Sequence, residues 1–421
     1  MNNGDTAWVL ASSSLVMLMT PALGLFYGGM VQQKNVLTTF MLSFTTLLIV
    51  SMQWILIGYT LSFGGDIRHL IGSMQWFGLH GIRPDSVSEY ASSIPHMAFM
   101  LFQMKFAIIT PALITGAFAE RVKFKAFIVF TLIWTTFVYD PVAHWVWGAG
   151  GWLHNLGALD FAGGTVVHIT AGVAGLAMSY ALRRHIPDDV DHRLQPYSVP
   201  MTLFGAVLLW FGWFGFNGGS ALAANGLAAQ ALVTTNIAAA AAALVWLYLS
   251  SREGKLSIMG VATGAVVGLV AITPACGYVG VLDSALIGAI GSAISYFSIK
   301  FAQKFNIPDA LDVWACHGMA GTWGALATGL FACKAINPAG ADGLFHGNPG
   351  LFNAQLVAVA TTWIFTFALT FIIIKAIDLT MGFTVSRKEQ KLGLDLSHNW
   401  DDVLNIGSPN LSGSVSRKAK A

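Results

Sequence analysis

The chain has 421 residues, of which 55% are hydrophobic and 10% are charged, and its mean hydropathy is +0.65. Soluble domains carry about 25% charged residues, so this composition predicts an integral membrane protein. The formal net charge is only +2, which argues against a nucleic-acid-binding protein. Cys276, Cys316 and Cys333 lack metal-like spacing, and we interpret them as small apolar residues outside any disulfide or metal site.

Apolar stretches of about 20 residues predict membrane-spanning helices. We find eleven of them, near 6–30, 36–63, 94–118, 124–144, 161–182, 197–217, 228–250, 256–275, 279–299, 311–333 and 354–378. The first stretch follows a start without basic residues and is too long for the apolar part of a signal peptide. The sequence therefore predicts an all-α transmembrane domain over residues 1–383 and a polar tail over residues 384–421.

Basic residues predict the orientation of these helices, because Lys and Arg are enriched in cytoplasmic connections. Alternate connections and the tail hold Lys34, Arg121, Lys123, Lys125, Arg183, Arg184, Arg193, Arg252, Lys255, Lys300, Lys304, Arg387, Lys388, Lys391, Arg417, Lys418 and Lys420. The opposite connections hold Arg68, Arg83 and Lys334. We therefore expect the N-terminus outside and the C-terminus inside, which requires an odd number of spans.

Three short phrases recur in the same order in the two halves of the chain. The phrase at 26–29, FYGG, returns as FNGG at 216–219, and ITPA occurs at 109–112 and again at 272–275. The pattern H-x-x-A-G-x-x-G begins at His168 and again at His317. Each pair lies five spans apart, and an odd separation predicts an inverted repeat over about 6–182 and 197–333, with the span at 354–378 added. Such repeats place a substrate path between their two copies.

The two histidines are the strongest functional candidates. An ionisable side chain inside a membrane helix is costly unless it faces a cavity or a partner. His168 and His317 stand in matched apolar contexts. A pair of core histidines bonded to the backbone is the simpler interpretation. Because imidazole both donates and accepts hydrogen bonds, we expect instead that the pair lines a narrow polar path for a small solute or a proton.

Aromatic residues gather at the predicted outer ends of several spans. They are Phe102, Phe106, Trp145, Trp147, Trp213, Phe214 and Phe216, with Asn217 and Ser220 following. A belt of aromatic residues at the membrane interface is one interpretation. A cation–π site for a small ammonium-type cation is the other. Phe102 and Phe106 are four residues apart and share a helix face. Asp160 and Asp312 near span starts are predicted helix N-caps.

Several of these segments resemble the Amt/Mep/Rh ammonium transporter family. The matching runs are DFAGGTVVH at 160–168, FYGGM at 26–30, WFGFN at 213–217 and DVWACHG at 312–318. The resemblance covers residues 5 to 385. It implies eleven spans with the N-terminus outside, one pore per protomer and a homotrimer in the plasma membrane, in bacteria the inner membrane. It implies no enzymatic activity, no cofactor and no metal.

The resemblance also implies roles for individual residues. Trp147, Ser220 and Phe102 resemble the external ammonium site, and Trp147 with Ser220 favours the Amt branch. Asp160 resembles the buried aspartate that helps select the cation, with Trp213 and Asn217 supporting the site. Phe106 and Phe216 resemble a phenylalanine gate. His168 and His317 resemble the twin histidines of the pore.

Two segments depart from the family pattern. Lys105 stands beside the gate residue Phe106, where the family has an uncharged residue; we expect it to extend toward the interface or to pair between protomers. In the tail, GLDL at 393–396 keeps the start of the family motif, but HNWDD at 398–402 replaces its continuation. The family implies a PII-type signalling protein as tail partner, and this replacement weakens that expectation here.

The expected mechanism starts with recruitment of ammonium, or methylammonium as its analogue, at the external site. The cation then loses a proton, and ammonia passes the two histidines, with or without the proton. Three alternatives remain open. A gas channel of the Rh type would carry neutral ammonia or carbon dioxide, a sensor would bind ammonium without needing to transport it, and a membrane oxidoreductase would use both histidines as haem ligands.

Overall fold

The computed structural model describes residues 1–183, 196–254 and 256–398, and these form a bundle of apolar helices. Of the basic residues used to orient the chain, Arg184, Arg193, Lys255, Arg417, Lys418 and Lys420 lie outside the described residues. So does the tail segment 399–402. The described helices α1 to α5 are Asn3–Met30, Gln33–Phe63, His96–Phe118, Phe124–Trp147 and Gly164–Leu182. Helices α6 to α11 are Val199–Gly218, Gly226–Arg252, Ile258–Ile272, Val281–Lys304, Trp314–Phe331 and Pro349–Met381.

Nine helices in the described part of the chain are long and apolar enough to cross a membrane. The prediction of a multi-span α-helical protein is therefore confirmed. The two remaining helices, α8 and α10, differ in length from the spans predicted at 256–275 and 311–333. Helix α8 is a 15-residue apolar helix, and α10 consists of a π-helical turn, Trp314–Met319, followed by Ala320–Phe331.

Helix starts follow from local capping chemistry. The first N–H groups of a helix lack partners within the helix, so a side-chain oxygen at the N-cap stabilises them. The Asn2 side chain accepts from the N–H groups of Gly4 and Asp5, and Asn225 does the same for α7. Ser198, Ser257 and Asn348 cap α6, α8 and α11. None of these caps requires a charged group.

Several helices contain a π-helical turn, which widens the helix by one residue and is often found at functional sites. Turns of this kind occupy Gly164–Ile169 in α5, Phe214–Gly218 in α6 and Trp314–Met319 in α10. Two more lie at Trp54–Gly58 in α2 and Thr135–Tyr139 in α4. Both histidines thus lie in a π-helical turn.

Glycine allows the central helices to touch backbone to backbone, as is common in membranes. A Cβ added to Gly172 in α5 would lie 2.0 Å from the Gly318 backbone nitrogen in α10. A Cβ on Gly321 would lie 3.1 Å from the His168 Cβ and from the Gly164 carbonyl oxygen. The two histidine-bearing helices therefore cross at close range, which brings their imidazoles together.

Loops contact one another separately at the two ends of the bundle. At one end, two small antiparallel hairpins, β1 (Asp66–Ile67) with β2 (Ile71–Gly72) and β3 (Val87–Ser88) with β4 (Ala91–Pro95), pack near the chain start. There the Asn2 N–H donates to the Ser93 carbonyl. At the other end, the tail meets the turns after α1 and α3. The N-terminus and the tail therefore join different groups of loops.

The tail is not free in its described part. It forms two short helices, α12 (Arg387–Leu392) and α13 (Leu394–Ser397). The buried Asp395 carboxylate accepts hydrogen bonds from the backbone N–H groups of Leu37 and Thr38, at 3.0 and 2.7 Å. The Leu394 N–H donates to the Asn35 side chain at 2.8 Å. The tail thus docks on the start of α2.

Candidate functional site

The segment before α5 is organised around the Asp160 carboxylate. One oxygen accepts from the N–H groups of Gly163 and Gly164, and the other accepts from those of Thr165 and Val166, at 2.7 to 3.1 Å. Gly163 has a φ of +110°, which suits glycine. Gly163 therefore holds the N-cap position of α5, and Asp160 caps the first turn through its side chain, where four hydrogen bonds balance its buried charge. Both Asp160 carboxylate oxygens are already bonded to backbone N–H groups. Any effect of Asp160 on a cation therefore acts through its charge and not through direct contact.

Trp147 joins this turn to the aromatic residues. Its indole N–H donates to the Asp160 carbonyl oxygen at 2.9 Å. Its ring stands edge-on to Phe106, with centroids 5.9 Å apart and planes at 88°. Phe102 also meets Phe106 edge-on, with centroids at 4.9 Å. Three of the predicted aromatic residues therefore converge, as expected from the spacing of Phe102 and Phe106.

The rings of Phe106 and Phe216 lie against each other, with centroids 4.3 Å apart and planes at 40°. Both side chains are fully buried. Phe216 is also stacked near His168, with a centroid distance of 5.9 Å and an interplanar angle of 24°. The phenylalanine pair thus separates the Trp147 side from the histidines.

The imidazoles of His168 and His317 face each other with centroids 5.4 Å apart and planes at 21°. Both side chains are buried. Neither ring nitrogen of His168, nor Nδ1 of His317, has a hydrogen-bond partner within the described protein. Buried polar groups almost always have a partner. The simpler interpretation, core histidines bonded to the backbone, therefore fails for these nitrogens.

The other predicted residues pack around the rings of Phe216 and His168 or hold the segment that follows Phe216. Trp213 stacks on His168 with centroids 5.4 Å apart and donates its indole N–H to the Thr273 hydroxyl at 2.9 Å. The Asn217 side chain donates to the Thr235 hydroxyl at 2.8 Å. The Ser220 hydroxyl donates to the Phe216 carbonyl at 2.8 Å. Ser220 thus lies one turn beyond Phe216, on the segment whose Gly219 packs against Phe102.

A cavity of about 290 Å³ reaches His317 from the end of the bundle where the tail docks. Its lining includes Tyr27 of the repeated FYGG phrase, together with Asp312 and Cys316. Glu253 and Tyr296 also line it, and the Lys300 ammonium pairs with Glu253 and lies over the Tyr296 ring. No sequence pattern predicts this cavity, because its lining residues come from several helices that are distant in the chain.

One prediction about capping was wrong. Asp312 does not cap α10; the Trp314 N–H donates to the Asp309 carboxylate at 2.7 Å instead. Asp312 has a φ of +57°, and its carbonyl accepts from the Cys316 N–H. The chain enters α10 through a left-handed residue, which moves the cap three residues upstream. Asp309 and Asp312 are three residues apart, so the geometry of the turn decides which of the two caps the helix.

Lys105 is half-buried on α3, and its ammonium lies 4.0 Å from the Met104 sulfur. It forms no ion pair with an acidic side chain in residues 1–183, 196–254 and 256–398. Its role as a residue that pairs between protomers stays a prediction. The three cysteines are free thiols, with Cys276 and Cys316 buried and Cys333 half-buried.

Sequence reasoning missed some residues that hold the site in place. The Trp8 indole N–H donates to the Gly218 carbonyl at 3.1 Å, and the Asp5 carboxylate accepts from the Ala224 N–H at 2.8 Å. These contacts join the start of α1 to the segment carrying Ser220. Trp8 offered a faint signal as an aromatic residue near a helix start, but its partner lies 210 residues away.

Comparison with known proteins identifies the family. The model of the Ammonium Transporter Family matches residues 7–402. An ammonium transporter of Bacillus subtilis is 48% identical over 399 residues, which are 94% of this chain and 97% of that protein. The crystal structure of Candida albicans Mep2 superposes with a TM-score of 0.86 at 36% identity, covering 92% of this chain and 88% of that one.

A further solved structure, described as a sensor Amt protein, gives a TM-score of 0.85 at 28% identity and covers 94% of this chain and 98% of that one. The resemblance noted in the sequence is therefore confirmed over nearly the whole chain. Proteins of this family are transporters and not enzymes. This multi-span membrane protein belongs to the Ammonium Transporter Family.

Proposed function

We propose that this chain takes up ammonium across the plasma membrane, through a pore that begins at Trp147 and ends at the cavity below His317. The observation that carries this proposal is the continuous column of rings from Trp147 through Phe106 and Phe216 to two facing imidazoles. An aromatic entrance suits a small cation, and unpartnered imidazole nitrogens suit a small hydrogen-bonding solute.

Capture takes place at the external site. Ammonium exchanges part of its water shell for the faces of Trp147, Phe102 and Phe106 and for the Ser220 hydroxyl. Cation–π contacts contribute about 0.5–2 kcal/mol each, more when they are desolvated. Asp160 adds negative charge beneath the site while its oxygens remain bonded to the backbone. Methylammonium fits the same description and serves as an analogue.

Beyond the Phe106–Phe216 gate the path is apolar, and a bare cation there costs several kcal/mol. Desolvation lowers the pKa of an ammonium ion, as it does for a buried lysine. We infer that the cation releases its proton near the gate. Ammonia then passes His168 and His317 and is reprotonated in the lower cavity. Potassium has no proton to release, so this scheme excludes it.

The histidine pair has a second role in this proposal. Imidazole can accept a proton on one nitrogen and release it from the other. His168 and His317 lie close enough to form a relay with intervening water or ammonia. Transport is then electrogenic, since the proton follows the ammonia. A neutral flux would instead match the gas-channel alternative.

The membrane arrangement is part of the proposal. Eleven spans with the N-terminus outside and the tail inside place the basic residues Lys34, Arg121 and Lys123 on the cytoplasmic side. An inverted repeat of five helices relates α1–α5 to α6–α10. Matched local structure supports it: both histidines lie in π-helical turns. In both ITPA phrases, the threonine hydroxyl donates to the carbonyl four residues earlier.

We further propose a homotrimer embedded in lipid, with one pore in each protomer. A PII-type protein remains a candidate partner at the cytoplasmic face, where α12 and α13 present the tail. The altered sequence at 398–402 disfavours it. A sensor role is the second candidate function, because the chain resembles a solved sensor Amt protein. Binding of ammonium without flux would support that role.

The test is the current across a solid-supported membrane that carries purified protein, after a pulse of ammonium. We expect a transient current in the wild type and loss of that current, or of its ammonium selectivity, in the His168→Ala/His317→Ala double variant. Ammonia flux detected by an internal pH dye without current would favour the gas channel. Strong potassium current in the wild type would contradict the mechanism.

A further inference from the structure

The cavity below His317 has a lining that suits a cation. Its described lining residues include four aromatic rings and two acidic side chains, which are Phe26, Tyr27, Trp246, Tyr296, Glu253 and Asp312. They include no lysine or arginine. Ring faces and carboxylates both attract positive charge. The cavity therefore presents an acidic, ring-lined surface to a cation that leaves the pore.

One cationic side chain is already held at the edge of this lining. The Lys300 ammonium lies 4.7 Å from the centre of the Tyr296 ring and forms an ion pair with the Glu253 carboxylate. Lys300 and Tyr296 are four residues apart on α9, so they share a face of that helix. Glu253 directly follows the last residue of α7. A ring and a carboxylate from two different helices thus hold one primary ammonium group.

The chemistry of that group matches the chemistry of the proposed substrate. A lysine side chain ends in a primary alkylammonium ion with three N–H donors and one positive charge. Methylammonium has the same charge and the same donors, and it lacks only the tether to a helix. The groups that hold the Lys300 ammonium therefore suit a free ammonium-type cation as well.

The ring on which Lys300 lies is fixed by its neighbours. Tyr296 is buried and packs edge-on against Trp246, with centroids 5.3 Å apart and planes at 85°. Helix α8 packs closely on Trp246 in turn. A Cβ added to Gly260 would lie 2.6 Å from the Trp246 indole nitrogen, and one added to Gly264 would lie 2.6 Å from the Trp246 Cβ. The Tyr296 ring therefore keeps its position whether or not Lys300 covers it.

The lysine, in contrast, is held weakly. The Lys300 and Glu253 side chains are 42% and 46% exposed. Ion pairs at such exposed positions are weak, because water competes for both partners and two flexible side chains must be ordered. A free cation in the cavity can therefore replace the Lys300 ammonium at both the ring and the carboxylate.

A second carboxylate lines the same cavity. Asp312 lies five residues before His317, and both residues belong to the lining. Within the described part of the chain, the Asp312 carboxylate accepts no hydrogen bond and forms no ion pair, whereas Asp309 caps α10. The His317 Nδ1 also lacks a hydrogen-bond partner there. A cation formed below His317 therefore meets two carboxylates, of which only Glu253 is already paired.

We propose that Glu253 and Tyr296 form an inner binding site for ammonium-type cations, at which the Lys300 ammonium competes with the transported cation. The proposal rests on the proposed transport function and adds to it the place where the cation is held before release. A tethered competitor lowers the affinity for a free cation without closing the pore. The cation formed below His317 is thus released readily, and entry from the cytoplasmic face requires a higher concentration.

Lys300→Met is the informative variant, because it removes the charge and keeps an unbranched side chain. Lys304→Met is the matched control. Lys304 lies one turn further along α9, is exposed, and lies 5.8 Å from the centre of the Phe305 ring, outside the cavity lining. Both variants lose one positive charge at the same end of the bundle. A general effect of net charge would therefore change both alike.

The experiment measures initial rates of methylammonium uptake into inside-out and right-side-out membrane vesicles from cells that express the full-length chain. In inside-out vesicles, which expose the cytoplasmic face, we expect Lys300→Met to lower the KM about threefold, the size of effect of an exposed cation–π contact. The maximal rate should fall in proportion, because tighter binding of the cation does not lower the barrier that follows. Glu253→Gln should raise this KM, and Lys304→Met should follow the wild type. In right-side-out vesicles every KM should match the wild type, because the external site is unchanged.

A wild-type KM for Lys300→Met at the cytoplasmic face would overturn the inner site. So would an equal fall in Lys304→Met, which would assign the effect to net charge at the cavity mouth. Failure of the transport proposal is distinct, because wild-type vesicles of both orientations would then take up no methylammonium. If Lys300→Met does not fold, Glu253→Gln decides the question, since an unchanged KM at the cytoplasmic face in that variant would contradict the proposal.

Discussion

The imidazoles of His168 and His317 lie nearly parallel, with centroids 5.4 Å apart, although 149 residues separate them in the chain. The contact between Gly172 and Gly318 brings α5 and α10 close enough for the two rings to meet. Trp213 and Phe216 also lie nearly parallel to the His168 ring, with centroids 5.4 and 5.9 Å away. The position of the pair is thus set by helix packing, and both ring nitrogens of His168 and Nδ1 of His317 have no hydrogen-bond partner within the described residues.

Phe216→Ala is expected to weaken selectivity at the gate. It removes the ring that contacts both Phe106 and His168, and truncation of a buried phenylalanine costs about 3–5 kcal/mol of stability. We expect potassium current to appear in supported-membrane recordings. Phe99→Ala is the control, because Phe99 is buried on α3, the helix that carries Phe106, against Phe63 and Tyr90. Equal potassium currents in the two variants would count against a gate at Phe216.

Asp160→Asn is expected to disrupt the turn before α5. An amide presents one oxygen and one donor group to four N–H donors, so at least one buried N–H loses its partner. Removing part of a buried, charged hydrogen-bond network costs about 3–5 kcal/mol. The measurement is thermal unfolding in detergent, followed by size-exclusion chromatography. Asp283→Asn, at the start of α9 where the carboxylate accepts from the Gly280 N–H, should lower the melting temperature far less.

Gly172→Ala is expected to separate α5 from α10. The added methyl group would lie 2.0 Å from the Gly318 nitrogen, a backbone contact that no rotamer change can relieve. Overpacking typically costs about 1–3 kcal/mol, and a rigid backbone contact should reach the upper end. Gly226→Ala is the control, since a Cβ there meets nothing within 4 Å. If Gly172→Ala matched Gly226→Ala in stability and transport, the close helix crossing would be wrong.

Asp395→Ala is expected to release the tail from the start of α2. It removes the acceptor for two backbone N–H groups, those of Leu37 and Thr38. Hydrogen bonds to a charged group contribute about 1.5–3 kcal/mol each. Limited trypsin digestion should cleave the tail faster than in the wild type. Lys388→Ala, at an exposed tail position, should leave the docking contacts intact even though it removes one cleavage site.

Features that depend only on residues close together in the sequence were the easiest to predict. The α2 and α5 spans, the pairing of Phe102 with Phe106 on one face and the capping role of Asp160 follow from helical periodicity and from local hydrogen bonding. The start of α10 was predicted incorrectly. Its cap lies at Asp309, because the left-handed backbone at Asp312 depends on how the preceding loop meets α3.

The sequence alone determined the membrane class, the order of the helices and the two matched histidine phrases, because apolar length and repetition are properties of the chain itself. It also carried the family resemblance that the comparisons confirmed. Tertiary structure alone decided that Phe216 stacks on His168, that Asp395 docks on α2 and that Asp66 meets the buried His144. Each of these contacts joins residues separated by 48 to 357 positions. The distance between such residues is set by how helices cross, and no local pattern encodes that crossing.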